Sequence, residues 1–541
     1  MKIKLLCIFL FFSLFKLFSQ NEDAWVYFKD KPSENTFISA PLTMLSQRAL
    51  DRRTRYNIPV DFNDVPIEKT YIDQIISATG IIVKAKSKWL NALHVQGTQE
   101  AINNLLGLSF VNSIEYANKS LNTSNKNNVQ QKIAQKKNKL AFSSDFNYGA
   151  GSNQIEMLHG DVLHQNNYSG QGMQIAIIDA GFPDVDNFMA FQRLRDNNQI
   201  LGGYDFVNRS ENFYSGHYHG MAVLATIAGY IDNQFIGTAP DAEFYLFITE
   251  DNLNEVPLEE SLWVEAAEKA DSLGVDVINT SLGYSVFFDN PDYNYTYADM
   301  DGKTAFISRG AEIAFSRGMI VVNSVGNEGN QPWHYMNAPA DANGVLSIGA
   351  VNANEVIANF SSFGPTSDNR TKPDILAQGA GVYIINSLGN VATSNGTSFS
   401  SPVLAGVIAC LWQAFPKKSN AEIIQLVKES AHLYENPTNQ EGYGIPNFET
   451  IYNMLYDEEN ENDSTEFFIF PNPTKDVLNF KFPNGTDEME ISMFNLLGKN
   501  VFVSQIKRNN PTTNISFLPK GMYMLQMKYE NSIKTIKVLR N

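Results

Sequence analysis

Short apolar segments alternate with amphipathic segments between residues 154 and 456. The segments between them at 262–270 and 311–315 have the apolar spacing of helices. This alternation predicts an α/β fold with a central, mostly parallel sheet and helices on both faces, whose functional groups gather at the carboxyl ends of the strands. Strands buried on both faces are predicted by the β-branched apolar runs at 175–178, 244–248, 275–278 and 319–322.

The regions on either side have different patterns. Residues 20–120 mix short strands with a helix that Thr98 begins, so we expect a small α+β domain there. Residues 467–541 contain short alternating strands separated by turn signals such as Pro483-Asn484-Gly485, which predicts a C-terminal β-sandwich. The strands predicted in the two regions lie at 25–28, 80–83, 92–95, 477–482, 490–494, 523–527 and 533–538.

Two polar segments separate these regions. Residues 121–153 include a stretch rich in Asn, Gln, Lys and Ser, and residues 457–466 include an acidic run. Neither segment can bury much apolar surface, so we interpret both as linkers. The first is also expected to be accessible to proteolysis.

Residues 1–19 predict a secretory signal peptide, since Lys2 and Lys4 precede an apolar run from Leu5 to Phe15. The run is shorter than the ~20 residues that span a bilayer, which disfavours the alternative of an uncleaved membrane anchor. No later stretch is expected to reach spanning length. We therefore expect an exported chain with no transmembrane span in its mature form.

The chain carries a net charge of −17, because 58 acidic residues outnumber 41 basic ones. A chain with this excess of acidic residues lacks the basic surface that neutralises phosphates, so a nucleic-acid partner is disfavoured. The two cysteines are Cys7, in the predicted signal peptide, and Cys410, in an apolar run. The mature chain is thus expected to contain no internal disulfide and to bury an inert thiol.

Three polar residues stand where packing alone would not require them. Asp179 ends a predicted buried strand, His219 begins a helix of small apolar residues, and Ser398 lies at a glycine-bearing turn into an apolar helix. Separately, they could be a turn aspartate, half of a metal pair with His217, and a helix cap. Together they are typical of nucleophilic catalysis, because an imidazole must take the proton of the hydroxyl and a carboxylate must fix the tautomer of the imidazole. The order Asp, His, Ser is one of the known chain orders of such a triad.

Asn327 adds a fourth group. It follows another predicted buried strand, and its side-chain N–H can donate to an oxyanion. The helix that begins near Ser398 can offer backbone N–H groups for the same purpose.

These segments resemble those of the subtilisin-like serine proteases, and so do Phe360-Ser361-Ser362-Phe363-Gly364-Pro365 and residues 372–377. The resemblance implies that Asp179 orients the imidazole and that His219 acts first as general base and then as general acid. It further implies that Ser398 attacks the carbonyl carbon and that Asn327 forms the oxyanion hole with the Ser398 N–H. His219 is preferred to His217 because of the Gly and Val that follow it.

The resemblance also implies a substrate-binding surface. Ser281, Leu282 and Gly283 would pair with the substrate backbone and line a side-chain pocket with Val325 and Gly326. The chain departs from common family residues at Ala180, Met221 and Ala222, none of which is a catalytic group.

The flanking regions resemble known accessory domains. Residues 20–120 resemble the propeptides of secreted subtilases, which help the protease to fold and block its cleft until cleavage, here expected within 121–153. Residues 467–541 resemble sorting domains of the type IX secretion system at Phe468-Ile469-Phe470-Pro471-Asn472-Pro473, 495–499 and 518–523. That implies export through the periplasm and across the outer membrane. A carbohydrate- or surface-binding β-module is the alternative interpretation.

We therefore expect a secreted or cell-surface serine endopeptidase, made as a zymogen, that acts on protein or peptide substrates. Its further partners would be its own propeptide and the outer-membrane secretion machinery. A catalytically inactive subtilase fold used as a surface binding module is the main competing hypothesis, and an esterase is a third. The chemistry requires no cofactor. Subtilases often bind structural calcium, and 299–302 is a candidate ligand loop, although a surface turn is the preferred interpretation of its sequence.

Overall fold

A computed structural model of the chain describes residues 21–122, 146–462, 468–482, 486–529 and 532–540. The chain divides into two compact units, Met1–Tyr452 and Asn453–Asn541. The predicted signal peptide, residues 123–145 of the first linker, residues 463–466 of the second and the turn at 483–485 lie outside the described residues.

The N-terminal region is a four-stranded antiparallel sheet, in the order β2-β3-β1-β4, packed with short helices. The predicted cap is present, because Thr98 Oγ1 accepts the N–H of Ala101 at 3.2 Å. One strand and three helices of this region have no counterpart in the sequence prediction. The elements are β1 (Asn21–Phe28), α1 (Glu34–Ile38), α2 (Gln47–Arg55), α3 (Lys69–Ile76), β2 (Ile81–Ser87), β3 (Ala92–Thr98), α4 (Gln99–Asn104) and β4 (Val111–Tyr116).

The central region contains a seven-stranded sheet in the order β13-β12-β11-β10-β5-β9-β6, in which every pairing is parallel. The predicted α/β architecture is therefore confirmed. The strands are β5 (Gln174–Asp179), β6 (Ile200–Asp205), β7 (Tyr230–Ile231), β8 (Phe235–Ile236), β9 (Glu243–Ile248), β10 (Val277–Thr280), β11 (Ile320–Ser324), β12 (Val345–Val351), β13 (Ile375–Gln378), β14 (Ala380–Ile385) and β15 (Val391–Asn395). The helices are α5 (Ser152–Glu156), α6 (Asp161–Gln165), α7 (Gln192–Asp196), α8 (Tyr218–Ala228), α9 (Pro257–Leu273), α10 (Phe306–Ser316), α11 (Thr397–Ala414), α12 (Asn420–Glu429) and α13 (Phe448–Asn462).

Helices cover both faces of this sheet, as two neighbouring residues of β10 show. Trp263 Nε1 of α9 donates to Thr280 Oγ1 at 3.0 Å, whereas Ser401 Oγ of α11 donates to Asn279 Oδ1 at 3.0 Å. Because successive side chains of a strand point to opposite faces, α9 and α11 lie on opposite sides of the sheet.

Helix α11 corrects one expectation of the sequence analysis. With 18 residues and a mean hydropathy of 1.2, it is long and apolar enough to cross a membrane by length and composition alone. However, 89% of it is buried inside the protein. It is a core helix, since it packs against the sheet and α8.

The second unit contains two antiparallel sheets, β16-β17-β20 and β19-β18-β21-β22. Leu478 and Phe480 of the first sheet share one core with Ile491 and Leu525 of the second, as in a β-sandwich. The strands are β16 (Phe468–Phe470), β17 (Val477–Lys481), β18 (Glu488–Asn495), β19 (Asn500–Lys507), β20 (Thr512–Asn514), β21 (Gly521–Tyr529) and β22 (Ser532–Arg540). Helix α13 continues to Asn462, so it occupies part of the acidic segment 457–466 for which the sequence analysis predicted a linker.

Candidate active site

Asp179 and His219 form a close pair at the carboxyl edge of the central sheet. Asp179 is the last residue of β5, and its Oδ1 lies 2.7 Å from His219 Nδ1. The same oxygen accepts the N–H of Ala180 at 2.7 Å. The carboxyl side chain is 2% exposed and the imidazole 28% exposed. A carboxylate bound to Nδ1–H leaves Nε2 as the basic atom of the ring.

The close approach of α8 to β5 depends on Gly220. A Cβ atom at this position would lie 2.5 Å from the carbonyl oxygen of Gly181 and 2.9 Å from the Cβ of Asp179. Only a residue without a side chain lets the first turn of α8 pack so tightly. The sequence His-Gly therefore places the imidazole directly against the aspartate.

The pKa of His219 reflects two opposing effects. Burial disfavours the imidazolium and lowers the pKa, but the charge of the Asp179 carboxylate, its hydrogen bond and the charge of Glu250 together raise it by more. The net result is a pKa above the ordinary value of a histidine. The pair thus makes the imidazole a stronger base than a free one.

Ser398 lies in the first turn of α11. Gly396 forms the N-cap of this helix with φ +150°, a conformation that L-residues rarely adopt, so glycine makes the turn from β15. The ring of Phe399, the next residue, lies 5.9 Å from the ring of His219. Among the described residues, Ser398 Oγ donates to Ser281 O at a long 3.4 Å and forms no hydrogen bond with His219. Such catalytic bonds often tighten only when substrate binds.

Pro402 explains how Ser281 is attached to the nucleophile helix. Proline has no N–H, so the carbonyl of Ser398, four residues earlier, lacks its usual helical donor. Ser281 Oγ donates to this carbonyl at 2.9 Å instead. The segment after β10 is therefore fixed to the residue that carries the candidate nucleophile.

Asn327, the candidate oxyanion-hole residue, contacts the start of α11. Its Oδ1 accepts the N–H of Thr397 at 2.9 Å and the hydroxyl of Thr397 at 3.2 Å. With the oxygen held in this way, the NH₂ group is the remaining donor of the side chain. The N–H of Ser398 lies in the first turn of α11, where helical N–H groups have no acceptor within the helix. The two donors suit a developing oxyanion.

The five predicted substrate-binding residues follow two neighbouring strands, β10 and β11. Asn323 Nδ2 donates to Leu282 O at 3.4 Å, which connects the two strand ends. The backbone of Gly326 exchanges hydrogen bonds with Thr397 Oγ1 at 3.3 and 3.1 Å. Ser281 and Val325 are buried, whereas Leu282 and Gly283 are half-buried. All five residues thus lie within two strand ends that contact the start of α11.

Two groups near the site have no signal in the sequence pattern. The first is Thr397, which bonds both Gly326 and Asn327, although its sequence context indicates only a Gly-Thr-Ser turn.

The second is Glu250. Burial, with a smaller contribution from the charge of Glu255, raises the pKa of Glu250 to about 8. Tyr284 donates to Glu250 Oε2 at 2.8 Å. Glu250 follows β9 without any recognisable motif, so only the folded chain reveals its place near Asp179.

The N-terminal domain packs against α9 of the central region. Trp25 Nε1 donates to Ser261 Oγ at 2.8 Å, and Ser87 Oγ and the N–H of Trp89 donate to Glu268 Oε1 at 2.7 and 2.9 Å. Burial raises the pKa of Glu268 to about 7. The interface therefore includes buried polar contacts as well as apolar ones.

A second polar cluster of this interface joins four buried charged residues. Arg52 lies 2.5 Å and Arg53 2.7 Å from the two carboxylate oxygens of Asp271, and Arg53 also bonds Asp64 at 2.8 Å. Since α2 carries both arginines and α9 carries Asp271, these ion pairs connect the N-terminal domain to the central one.

The candidate calcium loop uses its carboxylates within the protein. Asp299 Oδ2 bonds the Lys119 amine at 3.0 Å and the N–H of Thr296 at 2.7 Å, while Asp301 accepts from Lys303 and Thr304. Because the positively charged Lys119 already pairs with Asp299, this carboxylate does not fit a metal cation site. In the part of the chain that the structure describes, no group of three or more His, Cys, Asp or Glu side chains could hold a metal ion.

Cys410 is buried in α11, as its sequence context predicts. Burial raises its pKa well above the ordinary value, which keeps the thiol protonated and unreactive.

Three family models match successive parts of the chain. The model described as "Peptidase S8 propeptide domain, Bacteroidota" matches residues 23–136, "Subtilase family" matches 170–444, and "Secretion system C-terminal sorting domain" matches 468–540. These ranges agree with the resemblances drawn from the sequence motifs.

Curated relatives match the central region. The membrane-bound transcription factor site-1 protease of Homo sapiens is 30% identical over 269 residues, which are 49% of this chain and 23% of that protein. Subtilisin E of Bacillus subtilis is 28% identical over 290 residues, which are 52% of this chain and 66% of that protein. The chain thus spans less than a quarter of the length of the site-1 proteases.

A solved structure supports the fold. The epidermin leader peptide processing serine protease from Staphylococcus aureus aligns with a TM-score of 0.53 and 15% identity, over 81% of this chain and 99% of that chain. At this identity the likeness concerns the fold alone.

Proposed function

Because the chain belongs to the subtilase family, we propose that it is a serine endopeptidase that hydrolyses peptide bonds through Asp179, His219 and Ser398. The observation that carries the proposal is the 2.7 Å Asp179–His219 pair beside the helix start that bears Ser398. Asn327, bonded to Thr397 in the same helix start, supports an oxyanion hole. Carboxylate, imidazole, hydroxyl and oxyanion donors are the four parts that acyl transfer requires.

In the first half of the reaction, Ser398 Oγ exchanges its long bond to Ser281 O for one to His219 Nε2. The imidazole takes the hydroxyl proton as Oγ attacks the carbonyl carbon of the substrate. The new oxyanion accepts hydrogen bonds from Asn327 Nδ2 and the N–H of Ser398. When the C–N bond breaks, the imidazolium returns its proton to the leaving amine, and an acyl ester remains on Ser398.

In the second half, water attacks the ester carbonyl and His219 takes a proton from it. The C–Oγ bond then breaks, the proton passes from the imidazolium to Ser398 Oγ, and the product acid leaves. Asp179 holds the ring in one tautomer and stabilises the imidazolium in both halves, without taking the proton itself.

The flanking domains support production as an exported zymogen. The chain carries a subtilase propeptide domain and a secretion sorting domain, which indicates type IX secretion. In our proposal the N-terminal domain remains on α9 until cleavage within 121–153, and the sorting domain directs export through the periplasm and the outer membrane. Protein or peptide substrates would be met outside the cell.

An assay with an internally quenched peptide library tests this proposal. The secreted wild-type protein should cleave members of the library, and Ser398→Ala should lower the rate by about 10⁶-fold, as expected when a triad nucleophile is lost. Equal rates for the two proteins would contradict it. Thermal unfolding of both proteins controls for a general loss of structure.

A further inference from the structure

Lys119, near the end of the N-terminal domain, reaches into the central region of the chain. Its Nζ donates to Asp299 Oδ2 at 3.0 Å and to Asn294 O at a long 3.5 Å. The same ammonium lies over the ring of Tyr295, 3.8 Å from the ring centroid. A carboxylate, a carbonyl and an aromatic face, all of which attract an ammonium group, thus surround one lysine side chain. We call Asn294, Tyr295 and Asp299 the lysine cage.

The aromatic part of the lysine cage is fixed by the central region. Tyr295 is 5% exposed, its N–H donates to Ser285 O at 2.8 Å, and its hydroxyl donates to Glu260 Oε1 at 2.8 Å. The ring of Phe288 packs against it in a T-shaped pair, with centroids 5.9 Å apart. These partners all belong to the central region, so the ring of Tyr295 should keep its place when the N-terminal domain leaves.

The carboxylate of the cage is fixed in a similar way. Asp299 Oδ2 accepts the N–H and the hydroxyl of Thr296, both at 2.7 Å. Burial acts to raise the pKa of Asp299, but the hydrogen bond from the Thr296 N–H and the charge of Lys119 lower it by more. The bonds from Thr296 do not depend on Lys119. The carboxylate should therefore stay in place and ionised without it.

Maturation would empty the cage. Lys119 precedes the segment 121–153 in which we expect cleavage, so the departing N-terminal domain would carry this lysine away. Among the described residues, no lysine or arginine other than Lys119 forms an ion pair with Asp299. The cage would then present an uncompensated carboxylate beside an aromatic face, in an arrangement that already suits a lysine side chain.

A lysine side chain of a protein substrate is the occupant that this chemistry favours. The cage offers one carboxylate and one carbonyl, whereas a calcium ion takes about six to eight oxygen ligands. An acidic side chain would be repelled by Asp299, and an uncharged one would gain little from the carboxylate. Lysine side chains are common on protein surfaces, so a peptidase that acts on proteins would meet them on its substrates.

We propose that the lysine cage, none of whose residues is a catalytic group, binds a lysine side chain of a protein substrate after the N-terminal domain has left. In the precursor, Lys119 fills the same place, so substrate lysines can bind only after maturation. This inference rests on the proposed function, because it assumes that the chain is a peptidase whose N-terminal domain is released.

The test uses the secreted, matured protein with three substrates: casein, casein with acetylated lysines, and an internally quenched peptide without lysine. Acetylation removes the charge of lysine, so it should raise the KM of the wild type for casein by at least about fivefold and change kcat by less than about twofold. Asp299→Asn should lower the ratio of kcat/KM for casein to kcat/KM for the peptide by at least about fivefold. In this variant, acetylation of casein should change KM by less than about twofold.

Asp292→Asn is the matched control, because it removes the same charge from an exposed residue of the same segment between β10 and α10. Its casein/peptide ratio should stay within about twofold of the wild-type ratio. If Asp299→Asn does not fold, Tyr295→Leu removes the aromatic face instead, and Tyr295→Phe retains it. Of these two variants, only Tyr295→Leu should lower the ratio.

The possible failures can be told apart. Ser398-dependent cleavage with the same casein/peptide ratio in wild type and Asp299→Asn would overturn this inference alone. An equal fall of the ratio in Asp292→Asn would also overturn it, because the effect would then come from the general charge of the protein. No Ser398-dependent cleavage of casein or peptide would overturn the proposed function, and this inference with it.

Discussion

At the scale of single residues, the contact between Asp179 and His219 determines the chemistry that the site can perform. The carboxylate raises the pKa of the imidazole against the effect of burial. A general base must be neutral to accept a proton, so activity should fall as the pH falls through this raised pKa.

The first prediction concerns the acid limb of the pH profile, the range in which kcat/KM falls as His219 becomes protonated. In wild type the midpoint of this limb should lie above the ordinary histidine pKa of about 6.5. Asp179→Asn removes the charge that raises the pKa, so the limb should move to lower pH, and kcat should fall by about 10⁴-fold because the wrong tautomer is favoured. Profiles of kcat/KM against pH for both proteins measure the effect. A limb that stays at the same pH in Asp179→Asn would show that His219 does not titrate in this step.

The second prediction separates the two histidines at the start of α8. His217 is the N-cap residue, and its ring is tilted by 49° against that of Tyr218 with centroids 4.5 Å apart, whereas His219 contacts Asp179. His217→Ala should keep most of the peptidase activity and His219→Ala should lose it. Peptide hydrolysis by the two variants decides the matter, and the reverse result would transfer the general base to His217.

At the scale of elements, the sequence predicts the presence of a strand better than the residues at which the strand begins and ends. The runs 175–178 and 244–248 fall within β5 and β9, because strands buried on both faces must be apolar almost throughout. The run 275–278 begins two residues before β10. Val275 instead takes part in the C-terminal capping of α9, since its N–H donates to Ala270 O at 3.1 Å after the left-handed Gly274.

The third prediction tests the packing of α8 on β5. Gly220→Ala would place a methyl group against Gly181 and Asp179, which pushes the helix and its histidine away from the strand. We expect a loss of about 10²-fold in kcat/KM, the size of effect that a small misplacement of a catalytic group produces. The free energy of unfolding should fall by about 1–3 kcal/mol, as in overpacked cores.

Gly107→Ala is the control for this substitution, because a Cβ atom there meets no other atom within 4 Å. Its free energy of unfolding, measured by denaturant unfolding of the full chain, should match that of the wild type. It controls for stability alone, because our proposal removes the N-terminal domain from the active peptidase. Full activity in Gly220→Ala would show that the imidazole is not held by this close approach.

At the scale of the whole molecule, the N-terminal domain is held to the central domain by buried charges. Asp271 is the shared partner of Arg52 and Arg53, and Arg53 has Asp64 as a second partner. Removal of Asp271 would take away the salt-bridge partner of the buried Arg52, whereas Arg53 would keep Asp64.

The fourth prediction follows from this cluster. Asp271→Ala should weaken the packing of α2 on α9 by about 3–5 kcal/mol. In a Ser398→Ala background, which prevents self-cleavage, amide hydrogens of Gln47–Arg55 should exchange at least about 100-fold faster. Asp51→Ala is the control, since Asp51 is exposed on the same helix and, among the described residues, its side chain bonds only Gln47. Equal exchange in Asp271→Ala and Asp51→Ala would contradict a role of the cluster in holding the domain.

The candidate site could be predicted in part. Asp179, His219, Ser398 and Asn327 each stand in a local pattern with a chemical reason, so the sequence points to them individually. The bonds between Thr397 and Asn327 have no such pattern, because they depend on two segments that meet only in the folded chain. The bond from Ser281 to the Ser398 carbonyl is equally hidden, since it arises from the missing N–H of Pro402.

The most direct test of the account is covalent labelling of the secreted protein with a fluorophosphonate, followed by mass spectrometry of its peptides. A hydroxyl activated by His219 should attack the phosphorus atom, so the label should be found on Ser398 and be absent from Ser398→Ala. The account also predicts weaker labelling in His219→Ala. A wild-type protein that is folded, free of its N-terminal domain and still unlabelled at Ser398 would contradict the account and favour a subtilase fold used only for binding.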